Sequence, residues 1–309
     1  MRTEPRHLGN NGLMLTEKGI FHQGSRFAVL LIHGLTGTPK EMDSLARRLH
    51  RYGFTVSIPV LAGHCNTIDS LLSTNKTDWL ASIEQEYCRL VSQGYKVFVG
   101  GLSAGATMSI LLADKYPDIT GLAFYSITLR CDGWSVSRLG ILLPLLLKIP
   151  LFRNHYRFKE SHPYGIKNEP LRERIVMKLE SGDSSAAGHT STPGVILYEM
   201  LDLAKDARLV MPRGKVPALI VHAQEDDLAS VSNALYVHKH YAGPNELLLL
   251  QDSYHLVTID QERQSVADAT ARFFYDCLNH DEQQELRAQA KKRCQHLRVT
   301  QAKTAIKLR

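Results

Sequence analysis

No run of about 18 apolar residues occurs in the chain, so nothing in it reads as a transmembrane helix. The opening MRTEPRHLGN has charge but no apolar segment behind it, and no secretory signal is expected. There is no C-x-x-C and no internal repeat. The five cysteines (Cys65, Cys88, Cys131, Cys277 and Cys294) are odd in number and scattered. That argues against a disulfide frame or a zinc site, and for reduced thiols in a cytoplasm-like compartment. A basic domain is also lacking, despite a net charge of +6: residues 286–309 hold eight Lys or Arg and no Asp or Glu. Removing those eight from the 37 basic residues leaves 29 against 31 acidic ones, so the excess belongs to one C-terminal tail.

What remains is an ordinary globular composition, 44% apolar and 22% charged, over 309 residues. That length supports one large α/β domain with a sizeable core. Phe27–Ile32 is a continuous apolar run, as a strand buried on both faces should be. Thr38-Pro39-Lys40-Glu41 then offers an N-cap, a proline at the first helical position and a capping-box glutamate. The helix that follows carries Met42, Leu45, Ala46 and Leu49 on one face and stops at Gly53. Further strands are expected at Phe54–Ile58, Val97–Val99, Gly121–Ile127, Val216–His222 and Glu246–Gln251, with an opening hairpin near Leu13–Gln23. Helices are expected from Thr77 to about Gln93, over Ala104–Tyr116, near Ser230–Tyr241 and over Gln261–Leu278. Strands spaced by helices predict a mostly parallel sheet covered on both faces. Residues 129–194 break the rhythm with a dense apolar patch, aromatics and a polar tract; an insertion this long predicts a helical cap or lid.

Lys96–Ser109 is the most informative stretch. A short apolar strand runs into Gly101-Leu102-Ser103-Ala104-Gly105, which matches the G-x-S-x-G nucleophile elbow. A strand turning sharply into a helix leaves its middle residue strained and pointing outward, and Gly101 and Gly105 avoid a Cβ collision across the turn. Ser103 becomes the candidate nucleophile. The Ala104 amide, at a helix N-terminus, points where an oxyanion would form.

A serine needs a base, and the base an orienting carboxylate; in this sheet order they follow as acid, then histidine. After the strand Val216–His222 come Glu225, Asp226 and Asp227, of which Asp226 is favoured with the other two as rivals. After the strand Glu246–Gln251 comes His255. His222 precedes the acid and lies in a strand, which argues against it as the base. His33 is read as shaping its loop. The Leu35 amide, in the loop after Phe27–Ile32, is the natural second oxyanion donor, worth roughly 3–4 kcal/mol of transition-state stabilisation. Gly34 lets the chain approach closely, and with His64 it is a candidate for substrate contact.

His33-Gly34-Leu35-Thr36-Gly37, the G-L-S-x-G elbow, the acidic loop at Asp226 and the stretch containing His255 resemble the α/β-hydrolase carboxylesterases of the bacterial monoacylglycerol-lipase type. The resemblance covers about residues 26–128 and 195–279. It implies Ser103, Asp226 and His255 as a triad, the Leu35 and Ala104 amides as oxyanion hole, carboxylic esters of short to medium acyl chain as substrates, and no cofactor or metal. Cys65 stands where that pattern has the last glycine of G-H-G. The expected organisation is a hydrolase core at 1–128 and 195–280, a cap at 129–194 and a basic extension at 281–309. The apolar insert points to a lipophilic acyl or monoacylglycerol-like ester. A thioesterase or acyltransferase acting on a carrier-bound acyl group uses the same triad and is the alternative; a non-catalytic binding module would have lost a triad residue. No nucleic-acid partner is expected, because no aromatic residue interleaves the basic tail. The tail's charge suits a weak contact with a membrane surface or an acidic partner, so the expected location is cytoplasmic, with peripheral membrane contact as the variant.

Overall fold

The computed structural model describes residues 19–137, 140, 142–159, 161–180, 188 and 191–291. Seven strands form one sheet in the order β1 (Ile20–His22), β3 (Thr55–Ile58), β2 (Phe27–Ile32), β4 (Lys96–Leu102), β5 (Leu122–Tyr125), β8 (Ala218–Ala223), β9 (Asn245–Leu250). Only β1 is antiparallel to its neighbour; the other pairings are parallel. All six residues of β2 are buried, as a strand with helices on both sides requires. Its side chains alternate between two cores. Ala28, Leu30 and Ile32 face α3 (Lys76–Ser92) and α4 (Ala104–Lys115), while Phe27, Val29 and Leu31 face α1 (Lys40–Arg51) and a helix over Arg263–Asp276. Helix α3 buries Trp79, Ile83 and Leu90 on one stripe, each contributing about 1.5–3 kcal/mol by its removal from water. Its N-terminus is closed by Asn75 and Asp78, which accept each other's backbone amides.

The segment between β5 and β8 carries α5 (Leu143–Leu146), α6 (Pro150–His155), α7 (Glu169–Glu180) and α8 (Gly194–Val210), with β6 (Arg157–Lys159) paired antiparallel to β7 (Ser191–Pro193). The insert is therefore largely helical, with a small two-stranded antiparallel sheet of its own that closes around α7. Helix α8 escapes the periodicity reading because it is apolar on two sides. Ile196, Leu203 and Ala207 pack on the main core, while Leu197 and Met200 pack with Leu147, Phe152 and Phe158 of the insert. The five-residue α2 (Ile68–Leu72), capped by Thr67, is too short to leave a periodic signal. Among the described residues there follow a 3-10 turn over Met211–Arg213, α9 (Ser232–His240), α10 (Arg263–Asp276) and a helical stretch over 280–291.

That last stretch packs the first part of the expected basic extension, 281–291, onto the core. Glu282 meets Lys96 at 2.8 Å, Glu285 meets Arg26 at 2.9 Å, and Leu286 is 2% exposed against the core. The acidic residues that open the tail dock it. Residues 292–309, which hold most of its positive charge, lie outside the described residues, as do 13–18 of the expected hairpin and most of the polar tract 181–189. Among the described residues, no helix is long and apolar enough to cross a membrane.

Candidate active site

Strand β4 ends at Leu102 and α4 begins at Ala104, so one residue makes the turn. Ser103 has φ 57° and ψ −116°, a conformation that costs a non-glycine residue about 1–3 kcal/mol. The turn is tight enough that a Cβ on Gly101 would stand 2.2 Å from the Gly105 carbonyl group, and one on Gly105 would stand 2.4 Å from the Ile32 carbonyl oxygen. Ser103 Oγ lies 3.1 Å from Thr128 Oγ1, whose own hydroxyl donates to the Ser126 carbonyl at 3.1 Å. The serine proton therefore points at Thr128.

His255 Nδ1 is 3.0 and 2.9 Å from the two carboxylate oxygens of Asp226. Asp226 is 2% exposed, and its Oδ1 also accepts the Leu228 and Ala229 amides at 2.9 and 2.8 Å. This fixes the proton on Nδ1 and leaves Nε2 of His255, buried and without a hydrogen-bond partner among the described residues, as a base. Burial pulls the His255 pKa down, but the charge and hydrogen bond of Asp226, aided by Asp227 and Glu41, outweigh it and hold the pKa above 6.5. Burial likewise pushes Asp226 up, yet His255, His222 and the Ala229 amide keep its carboxyl below the usual range.

The loop after β2 is built on a neutral histidine. His33 Nδ1 is 2.9 Å from the Gly34 carbonyl, to which it donates, because Nε2 accepts the Leu61 amide at 3.2 Å. Burial, reinforced by nearby His64, lowers its pKa to about 3. Glu41 crosses from α1 to accept the Gly34 amide at 3.1 Å, so a glutamate expected to cap a helix instead holds this loop. Among the described residues, neither the Leu35 nor the Ala104 amide donates to a backbone carbonyl.

Ser103, His255, Gly34 and Leu35 line one cavity of about 800 Å³, part of it open to solvent. The insert supplies much of its apolar wall through Phe158, Ile175 and Leu179. Two buried carboxylates fasten the insert to the histidine loop. Asp227 accepts the Gly165 and His255 amides at 3.0 and 3.2 Å; Asp260 accepts those of Lys167, Asn168 and Tyr254, each at 2.8 Å. Burial raises the Asp227 pKa, against the pull of His255.

Of the acidic rivals, Asp226 alone reaches the imidazole; Glu225 is exposed and pairs with Lys167 at 3.0 Å. His64, expected to touch substrate, does not line this cavity. It is 4% exposed, with its ring edge-on to His33 and Trp79 at 5.3 and 5.9 Å between centroids. Cys65 takes φ 57°, the backbone that a glycine there would adopt freely. Sequence reasoning passed over Thr128 and Asp260, read Glu41 only as a helix cap, and weighed His222 only as a base, whereas it is a second histidine on Asp226, at 3.3 Å. Thr128 alone carried a signal, since it follows the strand beside β4 and so shares the rim with Ser103.

The family model described as serine aminopeptidase, S33 (Hydrolase_4) matches residues 23–262. A thermostable monoacylglycerol lipase from Bacillus sp. (strain H-257) is 28% identical over 247 residues, covering 80% of this chain and 89% of its own. A carboxylesterase from Bacillus subtilis (strain 168) is 26% identical over 255 residues, covering 82% and 94%. Among solved structures, one from work on LipS and LipT, two metagenome-derived lipolytic enzymes, superposes with a TM-score of 0.71 at 25% identity, covering 84% of this chain and 97% of that one. A soluble variant of monoglyceride lipase from Saccharomyces cerevisiae shares the fold, with a TM-score of 0.70 at 17% identity over 84% and 92% of the two chains.

Proposed function

Because this chain belongs to the Hydrolase_4 family of α/β-hydrolases, and a monoacylglycerol lipase and a carboxylesterase are among its relatives, we propose that it cleaves carboxylic esters through Ser103, His255 and Asp226. One observation carries the reading: a strained serine and an imidazole with Nε2 unpartnered and Nδ1 on a buried carboxylate line the same cavity.

The first step is a rotation of Ser103 about χ1, which gives up the Thr128 hydrogen bond at about 1 kcal/mol. Oγ then attacks the ester carbon while its proton passes to His255 Nε2. The carbonyl oxygen becomes an oxyanion between the Leu35 and Ala104 amides, where preorganised donors outperform water. Asp226 stabilises the imidazolium and keeps the Nδ1 proton in place. Collapse breaks the C–O bond, and the Nε2 proton goes to the leaving alkoxide. Water, deprotonated by the same nitrogen, hydrolyses the acyl-enzyme and returns the proton to Ser103. Leu102, Phe158, Ile175, Leu179 and Leu256 around the serine suit a lipophilic, monoacylglycerol-like ester.

A fluorophosphonate probe on wild type and Ser103→Ala tests the nucleophile; labelling is expected only in wild type, and labelling of the variant refutes the assignment. Turnover of acetyl, octanoyl and palmitoyl esters tests the pocket. A sharp preference for acetyl ends the lipophilic reading. A large preference for the matching thioesters would instead favour a thioesterase.

A further inference from the structure

A second cavity adjoins the first. It encloses about 1200 Å³, partly open to solvent, between the start of α1, helix α7 and the segment leading into α10. Glu41, Ile175 and Leu256 line both cavities, so they are contiguous. Pro170, Leu171 and Ile259 give the second cavity apolar walls, and, besides Lys178, which has an interaction of its own, Lys40, Arg174 and Arg263 bring three cations to it against one carboxylate, Glu41. That carboxylate is already engaged by the Gly34 amide. The Asp260 carboxylate nearby is filled by three backbone amides, and Arg263 donates only to the Asp260 carbonyl oxygen, at 2.9 Å. Lys40 and Arg174 are exposed and ion-paired to no described residue. Several basic side chains elsewhere are paired, Arg48 with Asp268, Lys76 with Asp202 and Asp206, and Arg213 with Asp114. Uncompensated positive charge beside an apolar floor raises the local concentration of anions.

We propose that this cavity receives an anionic oxygen group, a phosphate or a carboxylate, carried at one end of the ester whose scissile carbonyl lies at Ser103. The proposal rests on the hydrolase reading above. Ile175 and Leu256 cover the intervening hydrocarbon, and Lys40, Arg174 and Arg263 meet the charge. The enzyme is then selective for anionic amphiphiles, with discrimination expressed in KM.

Two matched pairs test it. One compares a p-nitrophenyl ester whose acyl chain ends in a carboxylate with the same ester capped by a methyl group. The other compares 1-octanoylglycerol 3-phosphate with 1-octanoylglycerol. In wild type at low salt, the anionic member of one pair is expected to show about tenfold higher kcat/KM, as two screened ion pairs allow, and the advantage should shrink with added salt. The pair that responds tells which end of the ester carries the anion. In Lys40→Gln/Arg174→Gln the ratio should fall to about one. Both positions are exposed, and each single variant provides a fallback should the double variant melt early. No preference in either pair, or a preference that survives the substitutions, overturns the proposal. Turnover of the neutral esters without that preference leaves the hydrolase reading standing, whereas failure to hydrolyse any member removes both.

Discussion

The Asp226→Asn variant discriminates most sharply between a working triad and a coincidence of side chains. Oδ1 of Asp226 accepts two backbone amides, so the asparagine oxygen must remain there. Its NH₂ group must then occupy the place of Oδ2, which lies 2.9 Å from His255 Nδ1. A donor facing Nδ1 turns that nitrogen into an acceptor and drives the proton to Nε2. The base would then present a hydrogen to Ser103 instead of a lone pair. The loss in kcat should be roughly a thousand- to ten-thousand-fold, or about 4–5.5 kcal/mol of barrier. The pH profile should move as well. The base must be neutral, so wild-type activity is lost as pH falls through a His255 pKa held above 6.5. Without the Asp226 charge, burial prevails, and the residual activity should lose its acid limb at lower pH. Initial rates on a neutral p-nitrophenyl ester from acid to alkaline pH, with a thermal melt to confirm folding, provide the measurement. A folded variant within about tenfold of wild type, with its acid limb unmoved, would refute the reasoning.

Ser103→Gly should abolish ester turnover yet raise stability by about 1 kcal/mol, a gain of about 2 °C in Tm, because φ 57° costs glycine little. Ser103→Ala, equally inactive, keeps the strain and should melt near wild type; equal melting of the two variants would deny it. Glu41→Ala should lower kcat/KM about tenfold by freeing the Gly34 amide and loosening the loop that presents Leu35. Glu41→Gln retains an acceptor oxygen and should recover most of that loss, while shifting the acid limb slightly downward because one negative charge near His255 is gone; a Gln variant as poor as Ala would argue against a positioning role.

The sheet was legible because β2, β4, β5 and β8 are apolar runs closed by glycine, serine or acidic turns, and a strand buried on both faces needs no alternation to be recognised. The candidate site was legible for a related reason. The rim of a parallel sheet collects whatever follows each strand, so Ser103, Asp226 and His255 could be brought to one rim as candidates without any contact information. What failed to show was side-chain traffic between distant segments. Glu41 looked like a capping residue because local spacing cannot reveal that Gly34 folds back over α1. His64 follows a strand like the others, yet its ring turns inward against Trp79 and His33, and periodicity does not fix that rotation. Helix α8 hid because two apolar neighbours erase a one-sided stripe, and the docking of 280–291 hid because Lys96 and Arg26 are far away in the chain.

The Asp227 and Asp260 carboxylates each grip both the insert and the stretch carrying His255. A wall of the chamber and the stretch carrying His255 are thereby riveted to a common beam, Gly165 and His255 through Asp227, and Lys167, Asn168 and Tyr254 through Asp260. Opening the chamber along that seam would break the hydrogen bonds of the Gly165, Lys167 and Asn168 amides, so the roof on this side is anchored to the floor.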